Sequence, residues 1–153
     1  MPLRIRPYQA PDFDALCALD VRCYAPGVAY SRRTMRFFIR LPGAECFVAE
    51  ETCEILGFVL TGRDGPAGHI ITLDVSPEAR RRRIGTALVD AAHAALAAHG
   101  VRRVDLETST LNEAGIAFWR SHGYRTREVL PRFYENGEDA YSMVRTLAKS
   151  ATA

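Results

Sequence analysis

The segment 73–89 constrains this chain more than any other. It runs from Leu73-Asp74-Val75 through Arg80-Arg81-Arg82-Arg83 into Ile84-Gly85-Thr86. It reads as a strand, a short arginine-rich loop and a helix that opens at Gly85. The first N–H groups of a helix have no intrahelical partner and sit at the positive end of the helix dipole, so such a turn binds anions. Four consecutive arginines add side chains that match phosphate geometry. The segment therefore predicts a phosphorylated ligand held over the turn. A basic run on its own also reads as a solvated turn or a nucleic-acid patch. No Gly-Lys-Ser/Thr follows, so a Walker-type nucleotide loop is not supported.

Composition narrows the alternatives. A length of 153 residues predicts one domain, and 48% apolar with 25% charged residues is the balance of a globular chain that buries a core without staples. The net charge of +2, with no aromatic ladder interleaved in the basic run, argues against nucleic acid as the main partner. Cys17, Cys23, Cys46 and Cys53 form no Cys-x-x-Cys pair and have no histidine pair at zinc spacing. The expectation is buried or semi-buried thiols in a reducing compartment, and no metal site. The segment Met1 to Gln9 is short and charged, and no apolar run reaches the length of a membrane span. The reading is a cytoplasmic protein without a membrane partner; monomer and homodimer both stay open.

Along the chain, Leu3, Ile5 and Pro7 alternate with polar neighbours as a first edge strand. Pro11-Asp12 open a helix that Pro26-Gly27 stop, and Ser31 caps a second one closed by Pro42-Gly43. Residues 46–50 and 55–60 form a hairpin around Thr52-Cys53-Glu54; a loop over 62–68 leads to a third strand, 69–75. The next helix, 85–99, buries Ile84, Ala87, Leu88, Ala91 and Ala95 and ends at Gly100. A strand over 101–107 follows, then a helix over 113–122 capped by Asn112 and stopped by Gly123. Strands over 124–130 and 140–146 close the domain at 148, with 149–153 as a frayed tail.

The arginine turn resembles the acetyl-CoA segment of the GNAT family of N-acetyltransferases. That pattern is Arg or Gln, two residues, Gly, one residue, then Gly or Ala. Arg80 and Gly85 match its ends, while Arg83 stands where the middle glycine belongs. Arg83 therefore either needs no positive φ or tolerates one at some cost. The element order resembles this family over nearly the whole chain. It implies an α/β (α+β) fold: a single GNAT-type domain with a central mixed, mostly antiparallel sheet of about seven strands flanked by about four helices.

The resemblance also implies the chemistry. Leu73, Asp74 and Val75 match a bulged strand whose backbone binds the pantetheine arm and offers an N–H to the oxyanion; the side chains of Leu73 and Val75 read as core. Arg80, Arg81, Arg82, Arg83, Ile84, Gly85 and Thr86 would hold the pyrophosphate. The segment 106–112 resembles RimI-type N-terminal acetyltransferases, which implies that Glu107 is the general base, acting through water; a carboxylate beside a partly buried cleft suits that work. The run from Asn112 to Tyr124 resembles the second signature of the family, with Asn112 on the pantetheine and Trp119 where a tyrosine protonates the leaving thiolate. Indole cannot serve as that acid. Residues 132–143 resemble the last hairpin of protein N-terminal acetyltransferases, so Phe133 and Tyr134 line the acceptor and Tyr134 becomes the substitute acid. No cysteine lies in the matching strands, which favours direct transfer in a ternary complex. The implied acceptor is the α-amino group of a protein or peptide. A small amine, or a non-catalytic acyl-CoA-binding module, is the alternative.

Overall fold

The computed structural model describes residues 2–148, so the expected tail at 149–153 lies outside the described residues. The elements are β1 (Arg4–Pro7), α1 (Phe13–Cys23), α2 (Arg32–Ile39), β2 (Glu45–Glu51), β3 (Glu54–Asp64), β4 (Ala67–Val75), α3 (Ile84–Ala98), β5 (Arg103–Ser109), α4 (Glu113–Ser121), β6 (Arg125–Leu130) and β7 (Ala140–Thr146). One sheet takes the strands in the order β1-β2-β3-β4-β5-β7-β6. Among the described residues every neighbouring pair is antiparallel except β4 and β5. This is the mixed sheet with four helices that the sequence predicts.

Strand β3 carries helices on both faces, which is why 56–61 is buried throughout. Phe58 and Leu60 pack with Leu16, Met35 and Val48 under α1 and α2. Val59 packs with Leu88, Val89 and Leu96 of α3 on the other side. The buried stripe of α3 is Ile84, Leu88, Val89, Ala92, His93 and Leu96, turned from the expected one; Ala87, Ala91 and Ala95 are half-buried beside it. Ser31 caps α2 by accepting the Thr34 N–H at 3.1 Å. A short 3-10 turn, Ala10–Asp12, precedes α1. The Asp12 carboxylate there takes two 2.9 Å bonds from Arg6 and so ties β1 to the helix entry.

The loop expected over 62–68 is absent. β3 runs on to Asp64, turns at Gly65-Pro66 and returns as β4 from Ala67. Gly68 reads as loop in sequence but is required by packing: a Cβ there would come within 2.9 Å of Val101. The thiols are all free, and Cys53 is exposed in the tight turn between β2 and β3, at φ +60°, instead of semi-buried.

Candidate active site

The site begins where β4 and β5 part. Their parallel pairing covers only Ala67 to His69 against Arg103 to Asp105. Beyond it β4 continues to Val75 and β5 to Ser109 without bonding to each other. Parallel strands that stop pairing leave backbone groups along both inner edges for a polar ligand strand. On β4 the carbonyls of Ile71, Leu73 and Val75 already accept from Tyr30, Tyr24 and Cys23, so it is N–H groups that this edge offers. A cavity of about 860 Å³ fills this wedge. The bulge of β4 falls at Ile71, where the register against β3 shifts, and not at 73–75.

At one end of the cavity lies the arginine turn. Arg81 and Arg83 have φ of +68° and +62°, so Arg83 adopts the left-handed conformation that the glycine of the motif would take freely. The first bond of α3 runs from Ala87 N–H to the Arg83 carbonyl at 3.1 Å, which leaves the preceding N–H groups turned outward. Left-handed residues alternating with ordinary ones ahead of a helix form an anion-binding concavity. Arg80, Arg81, Arg83, Ile84, Gly85 and Thr86 line the cavity. Arg82 does not: its guanidinium pairs with Glu51 at 2.5 Å. Gly85 packs closely under Phe118, since a Cβ would sit 3.2 Å from its ring and the ring would have to give slightly. Phe118 leans edge-on against Trp119, centroids 5.1 Å apart, and Trp119 lines the middle of the cavity while only 7% exposed. Asn112 lines it too and caps α4 by accepting Gly115 N–H at 3.0 Å.

Leu73 and Val75 line the cavity as half-buried side chains packed against the core, so they are not the plain core expected. Asp74 lies outside its lining. Strand alternation turns its side chain to the opposite face, toward α1, where it is 1% exposed.

At the other end Glu107 faces the cavity from β5. Its Oε1 lies 3.2 Å from His69 Nε2, and His69 Nδ1 lies 2.5 Å from Asp105 Oδ1. Burial would lower the His69 pKa, but hydrogen bonds and charges from Glu107 and Asp105 outweigh it and raise the pKa above the ordinary histidine value. The three side chains offer metal-ligand atoms within 4.8 Å of one another. The two carboxylates, however, engage opposite nitrogens of the ring, which is the layout of a proton relay more than of one ion's ligand set.

Two loops wall this end. In 24–30, Tyr24 donates to the Leu73 carbonyl at 2.6 Å and Tyr30 to that of Ile71 at 3.3 Å. In 131–139, Tyr134 and Phe133 line the cavity, and Ser109 of β5 donates to Glu138 at 2.5 Å. Burial above all, with the neighbouring Tyr30 and the Glu107 and Glu138 carboxylates adding to it, pushes the Tyr134 phenol above its ordinary range, so it stays a donor. The loops join: Glu135 N–H donates to the Gly27 carbonyl at 3.2 Å. A Cβ on Gly27 would come within 2.7 Å of Asn136 Cβ. The acceptor side is therefore arched over.

Sequence reasoning missed His69, Asp105, Tyr24, Tyr30 and Cys23. The first two depend on the β4–β5 register, which leaves no local signal; the tyrosines flank the Pro26-Gly27 stop and read as loop. Cys23 does reach the cavity, from the end of α1, and donates to the Val75 carbonyl at 3.3 Å. Burial pushes its thiol up to about 11, so it stays protonated and is a poor nucleophile.

The chain matches known proteins along its length. It is 32% identical over 143 residues to an uncharacterized N-acetyltransferase of Methanocaldococcus jannaschii, covering 92% of this chain and 90% of that one. It is 29% identical over 120 residues to N-alpha-acetyltransferase 30 of Schizosaccharomyces pombe, covering 75% and 80%. Its fold superimposes on the ribosomal-protein-S18-alanine N-acetyltransferase of Escherichia coli with a TM-score of 0.87 at 22% identity, over 98% of this chain and 97% of that one. No helix among the described residues is long and apolar enough to cross a membrane. Residues 13–124 match the model of the acetyltransferase (GNAT) family, and the chain belongs to it.

Proposed function

We propose that this acetyl-CoA-dependent N-acetyltransferase acts on the α-amino group of a protein or peptide chain, by direct transfer. The observation that carries this reading is the arch between 24–30 and 131–139 over the Glu107 end of the cavity. An arched slot admits a narrow chain end more readily than a side chain projecting from the middle of a folded surface. The relatives named N-alpha-acetyltransferase support the same acceptor class.

Acetyl-CoA supplies the acetyl thioester. The arginine turn would take its phosphates and the inner edge of β4 its pantetheine arm. The acceptor ammonium gives a proton to Glu107, and the amine nitrogen attacks the thioester carbonyl. Asp105 holds the His69 proton on Nδ1 in the tautomer we assign, so Nε2 stands basic beside Glu107 and the pair takes up one proton as a unit. As the C–S bond breaks, the thiolate leaves and takes a proton from Tyr134, and the second proton shed by the acceptor nitrogen as the amide forms restores the phenol. Trp119, with only an indole N–H, shields the sulfur. CoA-thiol release with short peptides of free and blocked N-terminus, set beside polyamines and free amino acids, tests the reading. Turnover on small amines but not on free-N-terminus peptides would overturn the acceptor assignment.

A further inference from the structure

α1 and β4 bring two carboxylates into contact in the interior. Asp20 is 0% and Asp74 1% exposed, and the two carboxyl groups act directly on one another. Each has one ordinary donor. Tyr30 N–H donates to Asp20 Oδ2 at 2.7 Å, and Thr72 Oγ1–H to Asp74 Oδ1 at 2.7 Å. Asp20 Oδ1 and Asp74 Oδ2 are buried without a hydrogen-bond donor. Two ionised carboxylates only accept, so they cannot bond each other, and buried like charges in contact are driven to share a proton.

We propose that Asp74 is a neutral carboxylic acid whose Oδ2–H donates to the Asp20 carboxylate, and that this shared proton positions the acceptor wall for acetyl transfer. The positioning half rests on the acceptor reading above. The proton resides on Asp74 because the donor on Asp20 is a fixed backbone N–H, which favours the charged form, whereas the Thr72 hydroxyl on Asp74 can rotate away. The wall hangs on the inner edge of β4, where Cys23, Tyr24 and Tyr30 donate to the carbonyls of Val75, Leu73 and Ile71. The acid pair stitches the same two pieces from beneath: Asp74 sits between Leu73 and Val75, and Asp20 holds the backbone of Tyr30. Cys17 and Cys23 of α1, Tyr24 and Tyr30 of the loop, Cys46 of β2 and Arg80 of the arginine turn face the pair, and Arg80 is the one cation among them. Loss of the proton sets two charges against each other and pushes the end of α1, with both tyrosines, off β4.

Infrared spectroscopy of the whole protein at neutral pH reads the proton directly. The wild type shows the carbonyl stretch of one protonated carboxylic acid. Asp74→Asn and Asp20→Asn each abolish it, because an amide N–H takes the place of the shared proton and keeps the contact. No such band in the wild type, or a band that survives Asp74→Asn, overturns the assignment. Kinetics with a peptide carrying a free α-amino group read the positioning. In the wild type the acceptor KM rises about tenfold at alkaline pH, the size of losing one charge-assisted hydrogen bond, while kcat holds. In the two Asn variants KM stays flat, since their donor does not titrate. An alkaline rise in the variants equal to that of the wild type overturns the positioning role. The infrared measurement needs no acceptor, so a wrong acceptor class leaves it readable.

Discussion

His69 and Glu107 face each other across the fork of the sheet, Nε2 to Oε1 at 3.2 Å, from the last paired residue of β4 and a residue two beyond the last pair of β5. The splay that opens the cavity therefore also sets a histidine against the proposed base. Glu107→Gln should lower turnover by about 10²–10⁴-fold, the usual worth of a general base. Because His69 is raised above its ordinary 6.5 by the two carboxylates, kcat should rise with pH along a limb centred above that value. Asp105→Asn removes one of the charges that hold the proton on the ring, so the limb should move to lower pH. A limb unmoved by Asp105→Asn would separate His69 from the base.

Tyr134 and Trp119 line one cavity, and only the phenol has a proton to give a departing thiolate. Tyr134→Phe should lower kcat with little change in acceptor KM, whereas Tyr134→Ala should also raise KM by opening the slot. Trp119→Tyr in the Tyr134→Phe background should recover part of the rate. Full activity of Tyr134→Phe on a peptide acceptor would leave Tyr134 as a wall.

What was legible in the sequence is what is local. The arginine turn occupies one contiguous stretch, 80–86, and its helix start and basic run announce its shape. The departure at Arg83 left two conformations open, and φ of +62° decides for the tolerated left-handed one. The long β3–β4 hairpin was hidden because Gly62, Gly65, Pro66 and Gly68 look like a loop, although Gly68 is there to let Val101 approach. His69 was hidden for another reason. Its partners come from a strand more than thirty residues away, paired over three positions, and no local pattern encodes that register.

Gly27 bears the arch. Its φ is +86° and a Cβ would meet Asn136 at 2.7 Å. Gly27→Ala should therefore part the two loops and cost about 1–2 kcal/mol of stability. CoA should protect it in thermal melts as it protects the wild type, since Gly27 lies away from the arginine turn, while acceptor KM rises. Wild-type acceptor KM would show that the arch does not shape the slot.

Arg83 tests the anion concavity. Arg83→Gly takes the same left-handed backbone without the Cβ penalty and should fold as well as the wild type. Arg83→Val, β-branched, should lose about 1–2 kcal/mol. CoA at about a hundred times its dissociation constant should add about 2.7 kcal/mol to the wild type and to Arg83→Gly. Protection absent from Arg83→Gly, which keeps the backbone concavity and lacks the guanidinium, would mean that the side chain does the binding.

On the far side of the sheet His93 of α3 is buried, 9% exposed, with Nε2 2.7 Å from the Tyr124 hydroxyl and Nδ1 3.3 Å from an Arg145 nitrogen. Arg145 is a donor only, so Nδ1 accepts and the proton belongs on Nε2. A second proton would face the Arg145 charge. Burial first, and then that charge, lower the His93 pKa from 6.5 to about 4. The unfolded chain therefore binds the proton more readily than the folded one between these values, and stability falls as pH drops through that window. The loss should approach about 3 kcal/mol below the folded value. Urea melts at a series of pH values read it directly. His93→Gln, which keeps a donor for Tyr124 and an acceptor for Arg145 but does not titrate, should flatten the decline between pH 6.5 and about 4. An equal decline in the variant would place the acid sensitivity elsewhere.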